Sequence, residues 1–175
     1  MKNILIAIFC LTFLGANAQK LTVATYNLRN DNKSDQIRGN GWDKRFPVIA
    51  SLVIYNDFDI FGTQEVLQNQ VDDMLGALPG YSYIGVGRDD GMKKGEYSPI
   101  FYKTDRLSLL DSGHFWLSED PSTPGKGWDA SYIRICTWGR FTDKLSKRIF
   151  WFFTLHTDHK GKQSQIESSK LILCK

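Results

Sequence analysis

The feature that most constrains this chain is the stretch from Ile149 to Leu155. It reads Ile-Phe-Trp-Phe-Phe-Thr-Leu and then turns abruptly polar at His156-Thr157-Asp158-His159. A short apolar run without alternation predicts a strand, Arg148 to Leu155, buried on both faces. Such a strand belongs in a layered domain, and the rest of the chain supplies candidate layers. Lys20 to Leu28 alternates as a strand, with Leu21, Val23 and Thr25 on one side. Trp42 to Tyr55 reads as a helix with Phe46, Ile49, Val53 and Leu52 on its apolar stripe, and with Pro47 near the start, where a missing N–H is tolerated. Asp59 to Thr63 is a short buried strand. Val66 to Leu78 is a second helix, with Val71, Met74, Leu75 and Leu78 at spacings of three and four, ended by Pro79-Gly80.

Further strands are predicted at Tyr81 to Val86, Pro99 to Lys103, Leu107 to Leu117 and Ile133 to Phe141. Asp143 to Lys147 forms the hairpin turn into the apolar strand, and Gln163 to Leu173 forms a last helix. Asn30 to Gly41, Arg88 to Gly95 and Ser118 to Asp129 read as loops. Helices come early and strands cluster late, which predicts an α/β domain with a mixed sheet rather than regular βαβ winding. The hydrophobic content of 42%, with 13% aromatic residues, is enough to fill a core.

The first residues read differently. Lys2 and Asn3 precede an apolar run from Ile4 to Leu14, and Ala16-Asn17-Ala18 places small residues where a signal peptidase reads. This is a secretory pattern, with cleavage expected after Ala18 and a secreted or periplasmic destination. The run is too short to span a bilayer comfortably, and no later stretch is apolar enough to do so. The mature domain is then 19–175. Cys10 leaves with the signal. Cys136 and Cys174 do not make a disulfide framework, and Cys136 is expected to be a buried thiol. Losing Lys2 lowers the formal net charge of +3 by one. A nearly neutral chain does not derive its affinity from neutralising a long phosphate backbone, although it can still handle a single phosphate group.

Polar residues just past strand ends are the ones that can meet in a cleft. Asn27, with Arg29 and Asp31 beyond it, closes the first strand. Glu65 follows the apolar Phe61-Gly62-Thr63, His156, Asp158 and His159 follow the apolar strand, and Arg134 opens the strand leading to Trp138. Each has an ordinary reading. A carboxylate before a helix is favoured by the helix dipole, and an Asn caps turns. His-x-Asp-His is a transition-metal cluster, a histidine held by a carboxylate for phosphate chemistry, or a solvated loop. Trp42, Trp116, Trp128 and Trp138 read as packing aromatics, and His114 as an edge-strand residue.

Taken in order, Thr25-Tyr26-Asn27-Leu28-Arg29, Trp42-Asp43-Lys44-Arg45, Gly62-Thr63-Gln64-Glu65-Val66, Gly95 to Tyr102, Arg134-Ile135-Cys136-Thr137-Trp138 and His156-Thr157-Asp158-His159 form a series. It resembles the endonuclease/exonuclease/phosphatase (DNase I-like) superfamily. Phe115 to Ser118 and Gly127 to Ala130 are similar to its secreted bacterial branch. The resemblance implies a four-layer α/β sandwich and metal-dependent hydrolysis of a phosphoester. The substrate class it leaves open is a small molecule, a lipid head group or nucleic acid, and the chain is expected to be a monomer. It implies Glu65 as the ligand of Mg²⁺ (or Mn²⁺), Asn27 as its helper, and His156 as the group stabilising the phosphate. Arg29, Asp158, His159 and Arg134 are implied on the substrate side, and Glu96 to Pro99 at a strand bordering the site, with Tyr97 lining the pocket. Where the branch shows Asn-Thr before the histidine, Thr154-Leu155 stands here.

The family's Gly-Asp-Phe-Asn and Ser-Asp-His motifs, which carry its general base and a second histidine, do not occur in these 175 residues. The expectation is therefore an N-terminal part of the fold, the first mixed sheet with its helices and the start of the second half. Such a part leaves one apolar sheet face uncovered and is expected to be inactive and poorly folded. The competing expectations are a remnant that binds metal and phosphate without turnover, and a zinc protein using His156, Asp158 and His159.

Overall fold

The computed structural model describes residues 20–175. The expected leader and Cys10 lie outside them. Eleven elements follow one another: β1 (Val23–Asn27), α1 (Lys33–Ile37), α2 (Trp42–Asn56), β2 (Ile60–Gln64), α3 (Gln68–Ala77), β3 (Tyr81–Ile84), β4 (Ile100–Lys103), β5 (Leu107–Trp116), β6 (Ile135–Asp143), β7 (Ile149–Leu155) and α4 (Lys162–Leu173). They make two sheets, ordered β1-β2-β4-β3 and β5-β6-β7. β1 and β2 run parallel, Val23 opposite Ile60 and Asn27 opposite Gln64, and the remaining pairings are antiparallel. The first sheet is mixed, as its element order implies.

The layers follow from which face of each strand is apolar. Phe61 and Phe101 point outward from the first sheet and pack with Ile49 and Val53 of α2 and Val71 and Met74 of α3. Each such side chain, fully withdrawn from water, contributes roughly 1.5–3 kcal/mol. Ile60, Ile100 and Phe141 fill the space between the sheets with Phe150 and Phe152. On the far side Leu171 and Ile172 of α4 cover Phe115, Leu117 and Cys136. The order is helix, sheet, sheet, helix, the four-layer α/β sandwich of the DNase I-like fold. No helix of the described residues is long and apolar enough to cross a membrane.

The sheets touch most closely at Gly62. A Cβ there would lie 2.5 Å from Thr154 Oγ1 of β7, so only glycine lets the strands approach. Gln64 Nε2 then donates to the same Thr154 hydroxyl at 3.2 Å. This contact brings the ends of β2 and β7 together.

Three expectations are corrected. β7 is not buried on both faces: Ile149 and Trp151 are 53% and 52% exposed. Among the described residues β7 is an edge strand, and α4 reaches only the Cys136–Leu155 end of its outer face. The expected loop after β1 contains α1, whose N-cap Asn32 accepts from Asp35 N at 2.9 Å. Without an apolar stripe it left no periodic signal. Pro47 is the sixth residue of α2, past the turn whose N–H groups are free anyway, so the helix forgoes one backbone bond. Cys136 is a buried free thiol, pushed up to about 12 by burial, and Cys174 is free and exposed.

Candidate active site

The strand ends define the floor of the site. Two backbones are held in the left-handed region, Arg29 (φ 54°) just beyond β1 and Glu65 (φ 58°) just beyond β2. Neither is glycine, so each conformation costs of order 1–3 kcal/mol and persists only where surroundings enforce it. Gln70 of α3, fully buried, is one enforcer. Its Nε2 donates to Arg29 O at 3.1 Å, and its Oε1 accepts from Asp31 N and Leu67 N. Arg45 of α2 adds Nη2 bonds to Arg29 O at 3.0 Å and to Asn30 O at 3.2 Å.

This bracing aims Asn27 and Glu65 at one another. Asn27 Nδ2 donates to Glu65 Oε1 at 2.8 Å, while its Oδ1 accepts from Arg29 N at 2.9 Å. His156, past β7, places Nε2 4.0 Å from the same Glu65 oxygen. Burial, reinforced by Arg134, lowers the His156 pKa, so the imidazole is neutral near pH 7.

Glu65 and His156 line a cavity of about 420 Å³ together with Asn30, Arg88, Glu96, Tyr132, Arg134 and His159. The wall opposite Glu65 is cationic and aromatic. The Arg88 and Arg134 guanidiniums lie 5.8 and 5.7 Å from the Tyr132 ring centre, and His159 stacks on Tyr132 at 5.9 Å. Arg88 Nη1 donates to Glu96, which also accepts from Asn30 Nδ2 at 2.7 Å. Trp116 Nε1 donates to Arg88 O at 2.7 Å and fixes that backbone.

The sequence-derived residues thus separate. Glu65, His156, Arg134 and His159 line the cavity. Asn27 supports Glu65 and, with Arg29, borders a neighbouring cavity. The Arg29 guanidinium is paired with Asp35, whose carboxyl it holds well below the usual range. Asp158 lies behind the wall, 1% exposed, and accepts from Ser131 N, Tyr132 N, Lys160 N and Gly161 N at 2.8–3.3 Å. Burial alone would raise its pKa, but these backbone bonds outweigh it and hold it low. Asp158 clasps the loop before β6 to the loop after β7. Tyr97 does not line the pocket. It is 2% exposed in the helix-side core, and its hydroxyl donates to Gln68 Oε1 and Met92 O.

Arg88, Tyr132 and Asn30 were not singled out from sequence. Arg88 follows β3 and Asn30 follows β1, so the strand-end rule that selected Glu65 also pointed to them. Tyr132 sits in a loop without such a signal.

No group of three His, Cys, Asp or Glu side chains among the described residues is placed to hold a metal. That disfavours a zinc cluster at His156, Asp158 and His159, as does the engagement of both Asp158 oxygens with backbone. A hard ion such as Mg²⁺ binds through one or two carboxylates and keeps several waters, and Glu65 presents one carboxylate to the cavity.

No family model matches the chain. An endonuclease/exonuclease/phosphatase family protein from Bacteroides thetaiotaomicron is 59% identical, with a TM-score of 0.86 over 87% of this chain and 56% of that one. A mannosyl-6-phosphatase from the same organism is 58% identical, with a TM-score of 0.86 over 88% of this chain and 58% of that one. An uncharacterized protein of Acanthamoeba polyphaga mimivirus is 30% identical over 124 residues, 67% of this chain and 46% of that protein. The chain therefore spans between 46% and 58% of the length of these proteins. The described residues carry the DNase I-like α/β fold, and solved structures similar to the chain at high identity are endonuclease/exonuclease/phosphatase family proteins.

Proposed function

We propose that this pocket serves metal-dependent hydrolysis of a phosphoester. The observation that carries the reading is the meeting of Glu65, oriented by Asn27, with a neutral His156 4.0 Å away, facing a guanidinium-bearing wall. Glu65 would hold Mg²⁺ (or Mn²⁺), and Asn27 would fix that carboxylate through its amide. Bound there, the ion would supply neutralisation of charge on the phosphoryl oxygens and a lowered pKa for a coordinated water.

The chain's own groups do the rest. A neutral His156 can donate a ring N–H to a non-bridging oxygen as charge builds on it. Arg134 and His159 orient the ester from the opposite wall. Near-neutral net charge favours a small phosphoester over a long nucleic-acid track. The similarity to a mannosyl-6-phosphatase supports the same preference. We further propose that the protein is exported, with cleavage after Ala18, and acts as a monomer.

A second reading is favoured by one specific observation. The other carboxylate lining the cavity, Glu96, is already engaged by Arg88 and Asn30, and Asp158 behind the wall is engaged by backbone N–H groups. Neither is free to deprotonate a water. On this reading the chain binds ion and phosphate without turnover.

Purified chain with p-nitrophenyl phosphate separates the two. Hydrolysis that requires Mg²⁺ and disappears in Glu65→Gln supports the enzyme. Calorimetric binding of Mg²⁺ and phosphate without hydrolysis supports the second reading. Metal binding or hydrolysis unchanged in Glu65→Gln overturns both.

A further inference from the structure

The wall opposite Glu65 holds more hydrogen-bond donors than its protein partners consume. The Arg134 side chain is 5% exposed, and its Nε stands 3.6 Å from an Asp158 oxygen, beyond hydrogen-bond reach. Arg134 Nε and Arg88 Nε are both buried without a hydrogen-bond partner among the described residues. The same is true of His156 Nδ1. These three atoms are closed to solvent and do not themselves reach a ligand. The donors left for the cavity are the remaining guanidinium N–H groups, of which only Arg88 Nη1 is hydrogen-bonded among the described residues, to Glu96. The two guanidiniums also repel one another across Tyr132. That repulsion, after burial itself, lowers the Arg134 pKa. Trp116 and Glu96 hold Arg88 there despite this cost.

We propose that Arg88 and Arg134 together grip the terminal phosphate of a phosphomonoester, so that the site selects monoester dianions over diesters. The proposal rests on the reading of this pocket as a phosphoester site. A monoester offers three non-bridging oxygens and two negative charges near neutral pH, whereas a diester offers two oxygens and one charge. An ion at Glu65 and the His156 ring serve the oxygens on the floor side. The guanidiniums opposite supply donors that only a further terminal oxygen can use. A diester puts an esterified oxygen and its carbon substituent in that place and leaves buried cationic donors unpaired. Sites built around donors reject ligands lacking the matching acceptor far more strongly than apolar pockets reject a misfit. Glu96 tempers the wall by neutralising Arg88 and accepting Asn30.

The test is equilibrium binding of a ligand whose phosphorus–carbon bond resists hydrolysis. Calorimetry with Mg²⁺ present compares phenylphosphonate, a dianion at pH 8.5, with its monomethyl ester, a monoanion. The full chain is expected to bind the dianion at least about tenfold tighter, the scale of one hydrogen bond to a charged group. Arg88→Gln is expected to remove that preference, weakening the dianion by about tenfold and the monoanionic methyl ester by less than about threefold. Arg88→Lys recovers part of it, and Glu96→Gln, which releases Arg88, tightens the dianion further. Because Glu96→Gln keeps both arginines, it tests the idea even if Arg88→Gln fails to fold. Equal affinity for the two ligands, no binding of either, equal weakening of both in Arg88→Gln, or no gain in Glu96→Gln overturns the proposal. Repeating the comparison in Glu65→Gln with EDTA separates it from the metal reading. A preference that survives there stands on the arginines alone. Mg²⁺ binding without any preference keeps the metal site and removes this one.

Discussion

The two sides of the pocket are built in opposite ways. The floor stands on strand ends: Asn27, Glu65 and His156 are carried by β1, β2 and β7, whose spacing is set by the sheets and by the Gly62–Thr154 contact. The wall stands on loops, with Arg88 after β3 and Tyr132 and Arg134 before β6. Backbone bonds such as Arg88 N to Glu96 O at 3.1 Å and Leu117 N to Arg134 O at 2.9 Å hold it locally, and single side chains add to them, Trp116 on one loop and Asp158 on the other. The floor is positioned by the close packing of the two sheets and tolerates little adjustment. The wall is positioned by a few hydrogen bonds, each open to removal. Chemistry that must stay the same is suited to the first kind of support, and selection among substrates to the second.

The largest effect that sharpens this contrast is expected on the floor. Glu65→Gln should lower Mg²⁺ affinity by about a thousandfold, roughly 4 kcal/mol, because loss of even an outer-shell partner typically costs ten- to a hundredfold. Calorimetric Mg²⁺ titration checks it, and an unchanged affinity would remove the floor from the metal's account. The midpoint of thermal unfolding should barely move, since Glu65 is partly exposed and Gln70 still holds the backbone two residues on, at Leu67 N.

Asp158→Asn should do the reverse, leaving the floor's metal affinity nearly intact and loosening the wall. Replacing a buried carboxylate that accepts backbone N–H bonds puts an amide NH₂ against donors, which costs about 3 kcal/mol. The effect has a pH signature. The folded-state pKa of Asp158 is depressed, so its contribution is fully present above the unfolded value of about 4 and drains away as pH falls toward the folded one. Urea denaturation should therefore show the largest gap between wild type and Asp158→Asn at pH 7, narrowing steadily below pH 4. A gap constant with pH would show that the carboxylate's charge is not what clasps the loops.

Asn27→Ala comes next, with a Mg²⁺ affinity lower by about ten- to a hundredfold, the range of an outer-shell partner. If its effect equals that of Glu65→Gln, Asn27 is a ligand in its own right and not the group that aims one.

How much of this was legible in the sequence follows the same division. The strands and helices were, because alternation and spacing record which face is buried. α2 and α3 appear where Ile49, Val53, Val71 and Met74 recur. The strand-end places of Glu65, Asn27 and His156 were legible because Glu65 and His156 follow apolar runs and Asn27 closes an alternating one, while their roles were implied only by resemblance. α1 was not, because Asn32 and the Arg29–Asp35 pair hold it, and such bonds have no period. The exposure of Trp151 was hidden because a run of apolar residues records composition but not how far the neighbouring layer extends. Gln70 was invisible for a related reason. It lies on an otherwise ordinary helix, and its role comes from one loop whose Asp31 and Arg29 reach it from 39 and 41 residues earlier. Tyr97 misled in the other direction, since an aromatic beside Glu96 on a strand approaching the site can face either way.

The smallest expected effect bears directly on the wall's weakness. Trp116→Phe keeps most of the buried aromatic surface and deletes only the indole N–H that donates to Arg88 O. One hydrogen bond of this kind contributes about 1 kcal/mol, so unfolding should become easier by that amount at most. Its consequence for binding should be out of proportion to that loss. Arg88 carries one half of the proposed monoester grip, and its guanidinium must stay over Tyr132 against repulsion from Arg134. Freed of the Trp116 anchor, the loop carrying Arg88 keeps its own backbone bonds and the Glu96 pair but loses its tie to β5, so it yields more readily to that repulsion. The preference for phenylphosphonate over its monomethyl ester should then shrink severalfold while Mg²⁺ affinity stays put. If the preference and the metal affinity fall together, floor and wall are one mechanical unit, and the division between strand-borne chemistry and loop-borne selection does not hold for this pocket.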